Sequence, residues 1–393
     1  MAQRIHACLS AKDSVARWGG DEFTILLPQI NSAEDPTKVA KDILTSLKEP
    51  FPLDNLQLRI RASIGISLFP QDGHDAETLI KHADAALYRT KENGRNNYSF
   101  YRPNMTSIAS NLLKLENLLH QAIEEKQLSL YYQPQINVTT GQVFGMEALL
   151  RWHHPDLGAV SPARFIPLAE ETNLIIPIGE WVLKTACAQS REWQQAGLPN
   201  LRVAVNLSPL QFQQANLVEM IAQNLANTNL TSDYLEVEVT ETTLMQNVDF
   251  ARQVLHELQD MGIQISMDDF GTGYSSLSYL KNLPFHAIKI DQSFIRDLKN
   301  APQDKAIISA IIALGRGFEL RVIAEGVETP EQMELLRSLH CNEMQGYWFS
   351  HPLPPAEATA FLLRQQQCQT QPLRTVENAD ESMSAPPGWE AIH

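Results

Sequence analysis

A set of polar residues stands at or near the points where apolar, strand-like runs stop. These are Glu147 in "EALLRW", Asn206 closing "LRVAVN", Glu238 in "EVEVTE", Asp268 and Asp269 in "ISMDDFGTGYSSL", Lys289 in "AIKID", Glu325 in "RVIAEGVE" and Gln345 in "EMQGYWF". Gathered in one place, so many carboxylates would repel strongly, so they must either bind cations or hold protons. Hard oxygen ligands of this kind suit Mg²⁺ or Mn²⁺, and the adjacent Asp268 and Asp269 could serve two ions, one carboxylate bridging. Such a pair of ions can bind a phosphodiester, lower the pKa of a bound water and stabilise both the attacking and the leaving oxygen. Lys289 would set a fixed positive charge beside the attacked group or the water.

Each residue alone has a plainer explanation. An Asp-Asp before Gly commonly makes a turn or a helix cap, and an Asn at a strand end is a turn signal about as often. Lys289 could be a solvated strand residue and Glu325 an ordinary loop carboxylate. Their joint occurrence at the ends of successive strands turns the reading towards a site. Gly271, Thr272, Gly273 and Ser275 make a flexible loop directly after the acidic pair, and such a loop at a barrel rim can close over substrate. A plain connection between strand and helix is the alternative. His153 and His154 in "RWHHPDLG" are read as structural or surface residues, not metal ligands.

The elements that must hold these residues alternate. Between about 113 and 366 the strand-like runs "LSLYYQPQINV", "VFGMEALLRW", "LRVAVN", "YLEVEVT", "IQISMDD", "AIKID", "LRVIAE" and "EMQGYWF" are separated by helical stretches such as "EWVLKTACAQSREWQQAG" and "FARQVLHELQDMG". That rhythm and length match an α/β fold of the (β/α)₈ type, in which reactive residues gather at the C-terminal ends of the strands. Residues 1–104 mix short strand-like runs with helical stretches and read as an α+β unit that looks incomplete. A leucine-rich helical stretch with three-to-four spacing follows, and 105–112 is read as a linker helix before a domain at 113–366. Residues 367–393 are polar and Pro-containing without period, and are expected to be disordered.

Composition narrows the partners. The chain has 393 residues and a net charge of −15, so nothing global offsets phosphate repulsion, and DNA binding is not expected. Four cysteines without CxxC spacing fit a reducing compartment and no structural zinc. The N-terminus carries charges and no apolar core, and the longest apolar window, "AIISAIIALG", is about half of a bilayer span. A cytoplasmic location is expected, with membrane attachment only through a segment upstream of this chain.

These motifs carry a resemblance. Residues 113–366 resemble an EAL domain, the family of cyclic di-GMP phosphodiesterases: "YYQP", "EALLRW", "FIPLAEET", "VNLSPLQF", "EVTET", "DDFGTGYSSL", "IKIDQSFI", "VIAEGVET" and "MQGYWFSHPLP" stand in family order. The resemblance implies that Glu147, Asn206, Glu238 and Asp268 hold one metal ion, that Asp268 and Asp269 serve a second, and that Lys289 and Glu325 orient the hydrolytic water. It implies contacts from Gln133, Arg151 and Gln345 to the dinucleotide, and an anchor for the "DFGTGYSSL" loop in Glu241, with Glu328 at a nearby acidic position. It further implies a barrel whose first strand runs antiparallel to the rest, a homodimer formed through this domain, and opening of cyclic di-GMP to linear pGpG. A non-catalytic cyclic di-GMP receptor is the alternative, and the intact set of ligands argues against it.

Residues 1–104 resemble the C-terminal part of a GGDEF domain, the diguanylate cyclase family. "VARWGGDEFTILLP" carries Gly19, Gly20, Asp21 and Glu22, and "RASIGISLFPQDG" and "ADAALYRTKENGRNNY" follow in order. The family's first strand, with its metal-binding Asp and guanine contacts, would lie upstream of Met1, and Ser10 stands where the regulatory Arg-x-x-Asp would have its Arg. The resemblance therefore implies a truncated, inactive cyclase unit with a degenerate motif, and a cyclase is the least supported of the three functions.

Overall fold

The computed structural model describes residues 1–370 apart from 20–21, 31, 33, 50, 54–55, 59, 61, 93–95, 199–200, 246, 273–276, 297 and 299–301. The chain divides into two compact units, Met1–Leu118 and the residues from Leu119 onward. In the second unit the strands are β1 (Leu128–Asn137), β2 (Gln142–His154), β3 (Arg202–Asn206), β4 (Leu235–Thr240), β5 (Gln264–Phe270), β6 (Ala287–Ile290), β7 (Arg321–Ala324) and β8 (Glu343–Met344). They pair in chain order, β8 returns to β1, and β3 pairs with both β2 and β4, so the sheet closes into a barrel. Among these eight strands every pairing is parallel except those of β1, which is antiparallel to β2 and β8; a short further strand, Gly158–Val160, lies antiparallel to the end of β2. The (β/α)₈ barrel and its reversed first strand are thus as expected.

Strand composition explains the closure. Along β4, Leu235, Val237 and Val239 alternate with Glu236 and Glu238, and the same period of two runs through Val203 and Val205, Ile265 and Met267, and Ile288 and Ile290. These apolar residues are at most 2% exposed and pack outwards under the helices. Each contributes about 1.5–3 kcal/mol on burial. The alternate positions fill the barrel interior with polar groups. At its N-terminal end, buried Glu236 accepts from Arg321 at 2.9 Å and lies 3.6 Å from Arg202, while Arg321 also reaches Glu343 at 3.3 Å. On that face of a barrel such a network stabilises the fold.

Helix starts fix where the rim residues sit. After Asn206, Ser208 caps the helix Pro209–Phe212: its hydroxyl accepts from the Gln211 N–H, the Gln211 side chain accepts from the Ser208 N–H, and Pro209 takes the first turn. After Glu325, Thr329 makes the same reciprocal cap with Gln332 ahead of Pro330–Ser338. The last expected strand, "EMQGYWF", is shorter than its composition suggests. Only Glu343–Met344 pair; beyond them Gly346 packs against the turn after β7, so close that a Cβ there would lie 2.1 Å from the Val327 carbonyl oxygen.

The N-terminal unit has a hairpin, Ser14–Gly19 with Glu22–Leu26, a parallel pair, Ile64–Ile66 with Tyr98–Phe100, and helices Glu34–Lys48 and Ala76–Glu92. Ile5, Ile43 and Leu47 form its buried centre, with Val15, Phe23 and Ile25 packed against them. The joining helix runs from Asn104 to Glu124, past the expected 105–112, since its apolar spacing continues through buried Leu115, Leu119 and Ala122 without Gly or Pro. At the other end, the helix Pro355–Thr370 includes the first residues of the tail expected to be disordered, and 371–393 lie outside the described residues. No described helix is long and apolar enough to cross a membrane.

Candidate active site

The strand ends converge. Lys289 on β6 is fully buried, and its Nζ lies 2.6 Å from Glu325 Oε1, 2.7 Å from Glu238 Oε2, 3.5 Å from Glu147 Oε2 and 3.6 Å from Asp268 Oδ1. The Asn206 Nδ2 donates to Glu147 Oε1 at 2.8 Å, and the Gln345 Nε2 to Glu147 Oε2 at 2.5 Å. Register produces this grouping: Asn206 is level with Glu238 in the parallel pair of β3 and β4, and Gln133 stands opposite Glu147 in the antiparallel pair of β1 and β2.

Asp268 and Asp269 both belong to the site because β5 carries a bulge. Met267 pairs with Ile288 and Phe270 with Ile290, so two aspartates oppose the single Lys289. In a regular strand, neighbours point to opposite faces. Here Asp269 takes a left-handed φ of 53°, a conformation aspartate tolerates better than most residues, and its N–H donates to Asp268 Oδ1 at 2.9 Å. The result is a triangle in which carboxylate oxygens of Asp268, Asp269 and Glu325 all lie within 4.8 Å of one another.

Lys289 alone does not offset the carboxylates around it, so the others must hold protons or share a cation. Burial works against the Lys289 charge, yet Asp268, Glu147, Glu238 and Glu325 outweigh it and hold the ammonium well above the usual lysine range. Burial also opposes ionisation of Glu147, and there Lys289 with the amides of Gln345 and Asn206 prevails, keeping the carboxyl below its usual range. Elsewhere the cation is outnumbered. Burial and Glu147 push Glu238 well above the carboxylate range despite Lys289. Burial pushes Glu325 up to about 8 against Lys289, with Asp268 adding to the rise, and burial with Asp268 and Asp291 pushes Asp269 up to about 6. Buried Glu238 Oε1 and Gln345 Oε1 have no hydrogen-bond partner among the described residues. Excess carboxylate, orphaned acceptor oxygens and a tight carboxylate triangle are the donor set of a divalent cation site, and the residues fit one.

The other expected residues lie around this cluster. Arg151 is half-buried near the end of β2, donates to the Leu150 carbonyl and lies 5.7 Å from the centre of the Tyr131 ring, outside the carboxylate group. Glu241 is buried at the start of the helix Glu241–Met245, directly after β4. Of the loop it is expected to anchor, 273–276 lie outside the described residues, as do Gly20 and Asp21; Gly19 ends one hairpin strand and Glu22 begins the other, both exposed. The two histidines behave as surface and turn residues: His153 is exposed, and His154 Nδ1 accepts from the Asp156 and Leu157 N–H groups. Asp291 was not among the expected residues, although its charge, and then a side-chain hydrogen bond, help raise the Asp269 carboxyl. Its position directly after the strand that carries Lys289, where the other rim residues stand, is the signal that could have found it.

Comparison with known proteins follows this division. Residues 116–352 match the EAL domain family, and residues 1–97 match the diguanylate cyclase, GGDEF domain, family. The chain is 45% identical over 360 residues to the bifunctional diguanylate cyclase/cyclic di-GMP phosphodiesterase MucR of Pseudomonas aeruginosa, covering 92% of this chain and 52% of that protein. It is 39% identical over 358 residues to the cyclic di-GMP phosphodiesterase PdeR of Escherichia coli, covering 91% of this chain and 53% of that protein. The chain thus spans about half the length of the curated relatives it matches. The structure of the PaMucR phosphodiesterase in complex with c-di-GMP overlays with a TM-score of 0.61 at 48% identity, over 63% of this chain and 99% of that one. The FimX EAL domain of Pseudomonas aeruginosa bound to c-di-GMP gives 0.55 at 27% identity, over 60% and 95%.

Proposed function

The chain belongs to the EAL-domain family, and on that premise we propose that it is a metal-dependent phosphodiesterase that hydrolyses cyclic di-GMP to linear pGpG. The observation that carries the reading is the buried Lys289 ammonium set among Glu147, Glu238, Asp268 and Glu325 at the C-terminal mouth of the barrel. Phosphodiesterase names and c-di-GMP complexes among the relatives support the substrate.

Glu147, Asn206, Glu238 and Asp268 would hold one Mg²⁺ or Mn²⁺, and Asp268 with Asp269 a second. Bound there, the ions supply Lewis acidity to the phosphoryl oxygens and make a nearby water more acidic. The chain's own residues do the rest. Lys289 offers a fixed positive charge to the phosphoryl group or the water, held in place by Glu238 and Glu325. Glu325 and Lys289, 2.6 Å apart, would orient the attacking water, and a rim carboxylate would take its proton. Water oxygen bonds to phosphorus, the P–O3′ bond breaks, and the departing 3′ oxygen takes up a proton, leaving one 5′-phosphate and one 3′-hydroxyl as pGpG requires. Arg151, partly exposed beside the cluster, would pair with the dinucleotide's phosphate.

The test is incubation of the purified chain with cyclic di-GMP and Mg²⁺ or Mn²⁺, followed by chromatography. Formation of pGpG that stops on chelation is the expected result. Binding of cyclic di-GMP without product under either ion would identify a receptor instead.

A further inference from the structure

The turn after β6 lies between the turns that carry Asp269 and Glu325, because β6 pairs with both β5 and β7. Its short helix, Gln292–Arg296, starts at Asp291, whose Oδ1 accepts from the Ser293 N–H at 3.0 Å and from the Ser293 hydroxyl. On one side the Asp291 side chain reaches the Asp269 carboxyl through a hydrogen bond. On the other side the chain after Glu325 passes directly over the helix: at Gly326, with a left-handed φ of 67°, a Cβ would lie 2.5 Å from the Gln292 Cβ. The helix is thus a spacer. A shift of it moves Asp269 relative to Glu325, two of the three carboxylates whose oxygens lie within 4.8 Å of one another.

Gln332 clamps this spacer. Its Oε1 accepts from the Glu328 N–H at 2.8 Å and the Thr329 N–H at 3.0 Å, and its Nε2 donates to the Ile295 carbonyl at 3.1 Å and the Arg296 carbonyl at 3.4 Å. Backbone N–H groups only donate and backbone carbonyls only accept, so the side-chain amide has one orientation, its oxygen on the turn after β7 and its NH₂ on the helix after β6. Capping the helix Pro330–Ser338 needs only that oxygen, and a glutamate at 332 would supply it equally. The NH₂ is surplus to the cap, and what it holds is the neighbouring turn. We propose that Gln332 is a positioning residue: its NH₂ ties the helix that starts at Asp291 to the turn that follows Glu325, and by fixing Asp269 against Glu325 it sets the divalent cation affinity of the rim. The inference rests on the reading of these carboxylates as a metal site. Groups that orient metal ligands from behind commonly set affinity by about 10–100-fold.

The experiment titrates the full chain with Mn²⁺ in the absence of cyclic di-GMP, following free Mn²⁺ by electron paramagnetic resonance, and records the thermal transition of each protein. Wild type is compared with Gln332→Glu, which keeps the acceptor for Glu328 and Thr329 and removes the donors to Ile295 and Arg296. It is also compared with Thr329→Val, which removes the hydroxyl that accepts from the Gln332 N–H and leaves the bridge. Gln332→Glu is expected to weaken Mn²⁺ binding about 10-fold. That sign separates the bridge from a charge effect, since an added carboxylate attracts a cation. Thr329→Val is expected to lower the thermal transition while its Mn²⁺ affinity stays within about twofold of wild type. Unchanged or tightened Mn²⁺ binding in Gln332→Glu would overturn the inference. So would an equal loss of affinity in Thr329→Val, which would make the stability of the helix start the cause. Should Gln332→Glu fail to fold, undiminished affinity in Gln332→Asn, whose amide is one methylene too short to span the two turns, overturns it equally. A wild-type chain that binds no Mn²⁺ would instead defeat the metal reading on which the inference rests.

Discussion

Lys289 donates to Glu238 across 2.7 Å, and neither side chain touches solvent. The pair is the hub of the rim, because the same ammonium also serves Glu325, Glu147 and Asp268. Removing one partner of a buried pair costs more than the pair contributes, since the other charge is left without compensation. Lys289→Met should therefore destabilise the metal-free protein by about 3–5 kcal/mol, measured by denaturant unfolding. Added Mg²⁺ should return part of that loss by supplying the missing cation. A variant as stable as wild type in chelator would mean that the carboxylates are already neutral, and that Lys289 is not what holds them.

Glu241 opens a helix directly after β4, three residues past Glu238, and is buried; it is the expected anchor of the loop that follows Asp269. Glu241→Ala should raise the metal concentration needed for half-maximal turnover by about 10–100-fold, while leaving the unfolding transition near that of wild type. Metal-dependence curves at saturating cyclic di-GMP check this. Coincident curves would make Glu241 a helix-start carboxylate without a role in the site.

The cysteines test the packing of the barrel independently of catalysis. Burial pushes the thiols of Cys187 and Cys341 up to about 12, so almost no thiolate forms in the native state. Iodoacetamide at about pH 8 should leave both unmodified in the folded protein and label both in denaturant, as mapped by peptide mass. Prompt native-state labelling of Cys341 would show that the turn into β8 opens freely.

The site was legible in the sequence because barrel strands are buried on both faces, so a charged residue at a strand end has little other reason to be there. Asn206, Glu238, Asp268, Lys289 and Glu325 all stood out on that ground, and the structure brings them together. Three features escaped it for physical reasons. The bulge that turns Asp268 and Asp269 to one side is a register event between strands, and nothing in "MDDFG" alone distinguishes it from a regular pair. The reversed direction of β1 depends on its partners and entered only through the family resemblance. The hydrogen bonds that tie Gln345 to Gln133 and to Glu147 join residues about two hundred positions apart in sequence, so no local pattern marks them. Asp291 was not among the expected residues, although it stands at the end of "AIKID", directly after the strand that carries Lys289.

The central claim is that charge on Asp268, shared between the two cation positions, drives the reaction. Asp268→Asn keeps the size and the hydrogen-bonding reach of the side chain and removes only that charge. Turnover of this variant is to be measured at saturating cyclic di-GMP and Mn²⁺, with binding of the dinucleotide and the unfolding transition measured on the same preparation. The account predicts a fall of several orders of magnitude in turnover, corresponding to several kcal/mol of lost transition-state stabilisation, in a protein that still folds and binds. Near-wild-type turnover in Asp268→Asn would contradict it.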